Sequence, residues 1–488
     1  MMTDTRNMRL AAVLISVLVI ASACSGSEDA SRNAEATLTE SESAVSEESS
    51  ESRDVGSPSP DGETEAATAA GANPTGDDAV ADGSDTSDNG DAGDTTAPQD
   101  GDAGTDGSEA QSSGQEVEPA EADDATDGPA TSLGETSLDA LVDELSIFVE
   151  QERGLQFVER PVVRALDSGD FNDAFRALIA RDAAANTESF TNFTDIYQAV
   201  GIIDDGSDLT EIWTRFGDAG VLGYYDTATG EIVLRGGELT TFTETVLVHE
   251  LVHALEDQVF GLNEDERFAD RTDEIDWTFS ALIEGSARVI EARYRATFTQ
   301  AELDEENAAR NSIPRSVSLN EFTPSFLELQ FGRYTYGEDF AETLWGLGQS
   351  ELDAAYEDPP ATSESVVNPD AFVAGDDDVL DMALPPADGE IFEQGIWGQA
   401  GFAALLTDVF DRPEALEITQ GWGNDRFVAW RDGEVSCVRI HVSADSADAL
   451  DNYADALDDW SQLGDRQIFF PTADLIRCLL YTSPSPRD

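Results

Sequence analysis

The chain has 488 residues, 102 of them acidic and 26 basic, for a formal net charge of −76, and every fixed cation is an arginine because lysine is absent. Such an imbalance argues against nucleic acid or anionic lipid as a partner and fits solubility in a salty medium. Because composition changes sharply near residue 135, the organisation has to be read segment by segment.

Residues 1–24 carry export signals. Arg6 and Arg9 precede the apolar run LAAVLISVLVIA, which is shorter than the roughly 20 residues that span a bilayer as a helix. Ala21, Ser22 and Ala23 lead into Cys24, and a hydrophilic run follows. This resembles a bacterial lipoprotein signal and implies lipidation of Cys24, although Ala21 stands where a larger aliphatic residue is usual. Ordinary secretion with cleavage nearby and an uncleaved anchor are the alternatives. The lipoprotein and secretion routes both predict an extracytoplasmic protein. Residues 25–135 are Ser, Asp, Glu, Gly, Ala and Thr with almost no large apolar side chains, so they cannot bury enough surface to offset their ordering entropy and predict a disordered acidic tether.

From 136 to 477 the pattern is globular and long enough for a large core. Leu138, Leu141, Leu145, Phe148 and Val149 recur at helical spacing and Gly154 ends that helix. An extended stretch and further helices complete a helical N-terminal lobe over 136–215. Within the expected metal-site core, 216–300, VLGYYDTATGEIVLRGG alternates around Thr229-Gly230 and predicts a β-hairpin over 221–236. Thr241 and Glu244 have capping-box spacing and start a helix near 242 that Gly261 ends. Asp273 is placed to cap a second helix through DWTFSALIEGSARVIEARYRATF. Residues 301–477 predict a C-terminal helical lobe broken at Pro314, Pro324, Pro359-Pro360 and Pro369. The run ALEITQGWGNDRFVAWRDGEVSCVRIHVS predicts a turn and a short antiparallel β-pair, followed by the helix SADALDNYADALDDWSQ. The last eleven residues, CLLYTSPSPRD, coincide with a translated frame of a common sequencing adapter, so 478–488 are expected to lie outside the native fold. Cys437 is then left without an expected disulfide partner.

The strongest chemical signal is His249-Glu250-Leu251-Val252-His253, which uses two of the chain's three histidines. On a helix, i and i+4 share a face, so both imidazoles can converge on one metal ion with Glu250 beside it. A catalytic zinc site needs a third protein ligand. A third histidine in the H-x-x-G-x-x-H continuation is excluded, because Glu256 and Val259 stand where glycine and histidine are required. Glu284, on the following helix, is the leading candidate, and Gly285 with its small neighbours would let that helix approach the motif helix closely. Asp273 or Asp276 are the fallback ligands, and pairing of Glu284 with Arg288 at i+4 is the purely structural alternative.

With these residues in place the chain resembles the gluzincin metallopeptidases, whose H-E-x-x-H is followed on a later helix by a glutamate ligand. It is more closely similar to secreted bacterial metallopeptidase-like proteins that carry HEL-x-HAL-x-DQ and then A-L-x-E-G-x-A, here HELVHALEDQ and ALIEGSA. Tyr334 and Gly337 fit a Y-x-x-G element, PPATSESVVNP a Pro-rich segment, and GWGNDR a GW-x-x-DR turn. Two positions depart from the pattern: Ser286 stands where aspartate is frequent, and Asn368 where histidine is expected. The resemblance implies an α+β, mainly helical fold with a zincin-like core, one catalytic zinc ion and a polypeptide substrate outside the cytoplasm.

Zinc on His249, His253 and Glu284 would activate water near neutral pH, with Glu250 taking its proton and passing it to the leaving amine. Asp257, one turn past His253, is a candidate to orient a ligand imidazole, with a solvated helix face as its alternative, and Asp276 is a second candidate for a supporting role. Tyr334 is the first choice as oxyanion donor, ahead of Tyr336, Tyr294 and His441. The hairpin offers a possible edge for an extended peptide. Two other readings stand beside hydrolysis of peptides: a non-catalytic zinc-binding surface lipoprotein, and hydrolysis of another amide such as a cell-wall crosslink.

Overall fold

The computed structural model describes residues 137–236, 239–262, 274–312, 318–375, 382–464, 466–472 and 475–481. The expected export signal with Cys24, the expected tether, Asp273 and Pro314 lie outside these residues. Helix α1 (Leu138–Arg153) starts where the Ser137 hydroxyl accepts the Ala140 amide and ends at Gly154, whose φ of 66° suits a residue without a Cβ. Strand β1 (Val162–Leu166) and helices α2 (Ser168–Ala185), α3 (Thr187–Val200) and α4 (Leu209–Gly220) follow. Strands β2 (Gly223–Asp226) and β3 (Glu231–Arg235) form the expected hairpin, and β1 pairs parallel to β3, giving a three-stranded sheet in the order β1-β3-β2. The hairpin strand β2 is one edge of this sheet, with all four residues buried, and β1 is the other, half-exposed edge.

Helix α5 (Thr241–Phe260) carries the H-E-x-x-H motif. Its N-cap is Thr240, one residue earlier than the capping-box spacing suggests, because the Thr240 hydroxyl takes the Thr243 amide while Glu244 accepts the Tyr294 hydroxyl at 3.0 Å. Thr245 to Glu256 are all buried, which fits a helix apolar on most of its circumference and packed on several sides. Helix α6 (Glu274–Arg295) carries Glu284, and α7 (Gln300–Ser312) follows.

Helix α8 (Pro324–Leu347) begins at its proline, which costs nothing at the first helical position, and crosses α6. The crossing uses Gly285 and Gly337: a Cβ on Gly337 would collide with the Ala281 carbonyl, and one on Gly285 with the Gly337 carbonyl. Gly285 therefore serves the approach of α8 and not, as its spacing suggests, that of the motif helix. Short helices α9 (Gln349–Glu357), α10 (Ser363–Val367) and α11 (Pro369–Ala374) lead to β4 (Ile391–Gly395) and α12 (Gly398–Leu406).

Beyond these, ALEIT belongs to helix α13 (Arg412–Thr419), capped by the Asp411 carboxylate on the Glu414 amide, and is not a turn. Strands β5 (Trp422–Asp432) and β6 (Val435–Ala444) are the expected antiparallel pair, followed by α14 (Ala447–Ser461), β7 (Arg466–Thr472) and β8 (Leu475–Tyr481). The pair is the centre of a larger sheet in the order β4-β5-β6-β8-β7. Cys478 to Tyr481, expected to lie outside the fold, extend β8 along β6, since an open strand edge accepts any apolar extended run. The register sets Cys437 opposite Tyr481 and Cys478 opposite Ile440, and Cys437 is a free, buried thiol. One hydrophobic core joins Phe171 and Phe175 to Tyr224, Phe326, Trp422 and Trp460, mixing side chains from all three expected regions of 136–477. The whole is α+β and mainly helical.

Candidate metal centre

His249, Glu250 and His253 have no exposed surface and Glu284 is 3% exposed. One turn of α5 separates the two imidazoles, whose centroids are 4.7 Å apart at 81° to each other. Helix α6 brings Glu284 Oε2 to 3.1 Å from His249 Nε2 and 3.5 Å from His253 Nε2. Those separations match the roughly 3.4 Å edge of a tetrahedron with bonds of about 2.1 Å. One donor atom from each of the three residues lies within 4.8 Å of the others, so the group could hold a metal ion. Arg288 does not neutralise Glu284; its guanidinium takes both oxygens of Glu291 at 2.9 Å and Glu338 at 3.2 Å.

Sequence reasoning missed Glu291. It lies two turns after Glu284 on the same face of α6, and its Oε2 sits 3.4 Å from His249 Nδ1, on the side of the ring away from the other ligands. A carboxylate there fixes the tautomer that points Nε2 at a metal. The heptad spacing from Glu284 was the available signal. Asp257 does not fill that role: its oxygens accept the Tyr225 hydroxyl at 2.7 Å and the Leu262 amide at 2.8 Å. Asp276 is buried on α6 but outside the cluster, two turns before Glu284, a rise of about 12 Å. It lines a cavity with Trp277, Arg333 and Trp397 instead.

Among the proposed donors, only Tyr334 reaches the cluster. It stands on α8 one turn before Gly337, so the glycine crossing sets its ring 6.2 Å from that of His249, nearly parallel at 23°, and its hydroxyl bonds with Glu284. Burial and the carboxylates of Glu284 and Glu250 push that hydroxyl well above its ordinary pKa, so it remains a neutral donor. Tyr336 donates to Glu328, Tyr294 to Glu244, and His441 is buried in β6 opposite Arg426. Ser286 Oγ donates to Glu256, not toward Glu284, and Asn368 is exposed at the junction of α10 and α11, so neither departure from the resembled pattern touches the cluster.

Both carboxylate oxygens of Glu250 are buried against the backbone of β2 at Gly223, with no side-chain hydrogen bond and only the Tyr225 backbone amide beside them. Burial raises this carboxyl well above its ordinary pKa, only partly offset by His249. Burial also lowers His253. At His249 burial is outweighed by Glu284 and Glu291, which lift the imidazole to about 10. Burial is likewise outweighed at Glu284 by the two histidines and at Glu291 by Arg288 and His249, bringing each to about 2.

These shifts fix how the metal-free protein responds to pH. His249 is raised in the fold, so its contribution is fully present below about 6.5 and lost as pH rises through about 10. Glu250, also raised, favours the fold while protonated and adds to the loss above about 4.5. The contributions of Glu284 and Glu291 are present above about 4.5 and vanish only as pH falls through about 2. His253, lowered by burial, works in the opposite sense up to about 6.5, so chelator-treated protein is expected to melt at progressively lower temperature between about pH 7 and about pH 9, with added metal flattening the slope. A melting temperature that rises over that range would contradict this charge arrangement. No family model, curated protein or solved structure matches the chain.

Proposed function

We propose that the chain is a zinc-dependent peptidase of gluzincin type with a zincin-like core, acting on polypeptide outside the cytoplasm. The observation that carries this reading is the fully buried carboxylate of Glu250, bound by no side chain, beside three convergent ligand atoms. An ionisable group buried with no countercharge or side-chain bond to hold it is costly, and such groups cluster at functional sites. Zinc suits two imidazoles and a carboxylate, and when bound it activates water at neutral pH. Glu250 then accepts the proton of the attacking water and delivers it to the leaving amine, while Tyr334 donates to the developing oxyanion. Export through residues 1–24 and a lipid at Cys24 would hold the domain at the cell surface. Among the described residues no helix is long and apolar enough to cross a membrane.

Complete burial of the cluster favours a second reading, a surface lipoprotein that binds metal without catalysis. The two are separated by loading the full chain with zinc, counting metal per chain and following an unfolded polypeptide mixture by mass spectrometry. Cleavage with one zinc per chain supports the peptidase; stoichiometric zinc without cleavage selects the second reading. Tyr334→Phe is expected to lower kcat about 100-fold or more with little change in KM. A raised KM at unchanged kcat would make Tyr334 a substrate-binding group.

A further inference from the structure

Behind the ligands, the two helices that carry them touch a second time. Glu256 follows His253 by one turn on α5, and Ser286 follows Glu284 closely on α6. Ser286 Oγ donates to Glu256 Oε1 at 2.5 Å, Arg153 Nε donates to the same oxygen at 2.7 Å, and the Tyr356 hydroxyl donates to Oε2 at 2.5 Å. The carboxylate therefore ties together α1, α5, α6 and α9, and all four side chains are 0% exposed. Arg153 is further held by Asp353 at 2.6 Å and packs over the rings of Phe260, Trp345 and Tyr356.

A buried ion pair adds little stability over apolar residues of the same volume, because desolvation offsets the Coulomb attraction. What it supplies is direction. Three donors meet two oxygens at one relative setting of four elements. Sliding α5 against α6 by a single residue rise, about 1.5 Å, would take Ser286 out of bonding range of Glu256. The same slide would carry Glu284 away from the imidazole nitrogens.

We propose that Glu256 is the positioning residue of the metal centre: clamped by Arg153, Ser286 and Tyr356, it fixes α5 against α6 and thereby the geometry of His249, His253 and Glu284. This rests on the cluster holding a metal ion, and not on catalysis. It also accounts for serine at 286, since an aspartate there would set a second carboxylate against Glu256, and like charges so close cannot both ionise.

The test uses the full chain, stripped by chelator and titrated with zinc, and separately with cobalt(II), whose visible spectrum reports coordination geometry. Ser286→Ala and Tyr356→Phe each remove one donor with little change of volume, and Glu256→Gln removes the charge. Zinc affinity is expected to fall by about 10- to 100-fold in Glu256→Gln and by a smaller factor in the other two, with a shifted cobalt spectrum in all three. Metal-free Ser286→Ala and Tyr356→Phe should melt somewhat below the parent but still fold cooperatively, since each leaves Glu256 two of its three donors. Parental zinc affinity and an unchanged cobalt spectrum in the variants would overturn the proposal while leaving the metal site standing. Failure of the parent to take up one zinc would instead remove the metal reading, and the proposal with it. If Glu256→Gln does not fold, the two single-donor variants decide.

Discussion

Glu250→Gln is expected to retain one metal ion per chain and to lose peptide hydrolysis by a factor of about 10² to 10⁴. Glutamine keeps the shape of the side chain but cannot accept and return a proton. The three ligand atoms come from His249, His253 and Glu284, so the ion's coordination should survive the change. The substitution should change the metal-free fold little, because burial already drives the Glu250 carboxyl toward the neutral form, no side chain bonds to it, and the glutamine oxygen can still accept from the Tyr225 amide. Metal content, cleavage of an unfolded substrate pool and a melting curve measure the three consequences. Activity undiminished in the metal-loaded variant would sink the proposed base. Loss of the metal together with activity would make Glu250 part of the binding site instead.

Gly337→Ala is expected to destabilise the protein by about 1–3 kcal/mol and to disturb the metal centre at the same time. In an exposed helix this change would be worth up to about 1 kcal/mol of added stability through helix propensity. Here the new methyl would meet the Ala281 carbonyl, which is backbone and cannot rotate away, so α6 and α8 would have to separate. Tyr334, one turn from Gly337, would move with α8 and leave Glu284 without its hydroxyl partner. Gly346→Ala provides the control on the same helix, since a Cβ there meets nothing within 4 Å and should be neutral or slightly stabilising. Equal effects of the two substitutions on melting temperature and zinc affinity would refute the crossing as the cause.

The local rules that read well were those in which a residue acts on its own backbone. Gly154 and Gly261 end α1 and α5 where expected, Pro324 opens α8, and the alternation around Thr229-Gly230 produces the β2–β3 hairpin. The failures came where a side chain or strand found a distant partner. Glu244 was available to complete a capping box, yet Tyr294, on α6, takes it. Asp257 was free by spacing to face an imidazole, yet Tyr225 and the Leu262 amide hold it. The two-stranded pair expected near the C-terminus recruits β4, β7 and β8, because a strand edge leaves backbone groups that another segment satisfies.

The sequence by itself determined the pair His249 and His253 and the position of Glu250, because a helical period of 3.6 residues places i and i+4 on one face whatever surrounds the helix. It also made Glu284 the leading third ligand, with Asp273 or Asp276 as fallbacks, and among these Asp273 lies outside the described residues. Between Glu284 and Asp276 only the tertiary structure decided, since whether a carboxylate on one helix reaches an imidazole on another depends on the crossing of α5 and α6. The same holds for Tyr334, which the glycine contact of α6 with α8 sets beside His249, and for Glu291 behind the His249 ring. Each of these relations joins residues far apart in the chain, and a distance between helices is set by the packing of side chains along their whole contact, which no local spacing encodes.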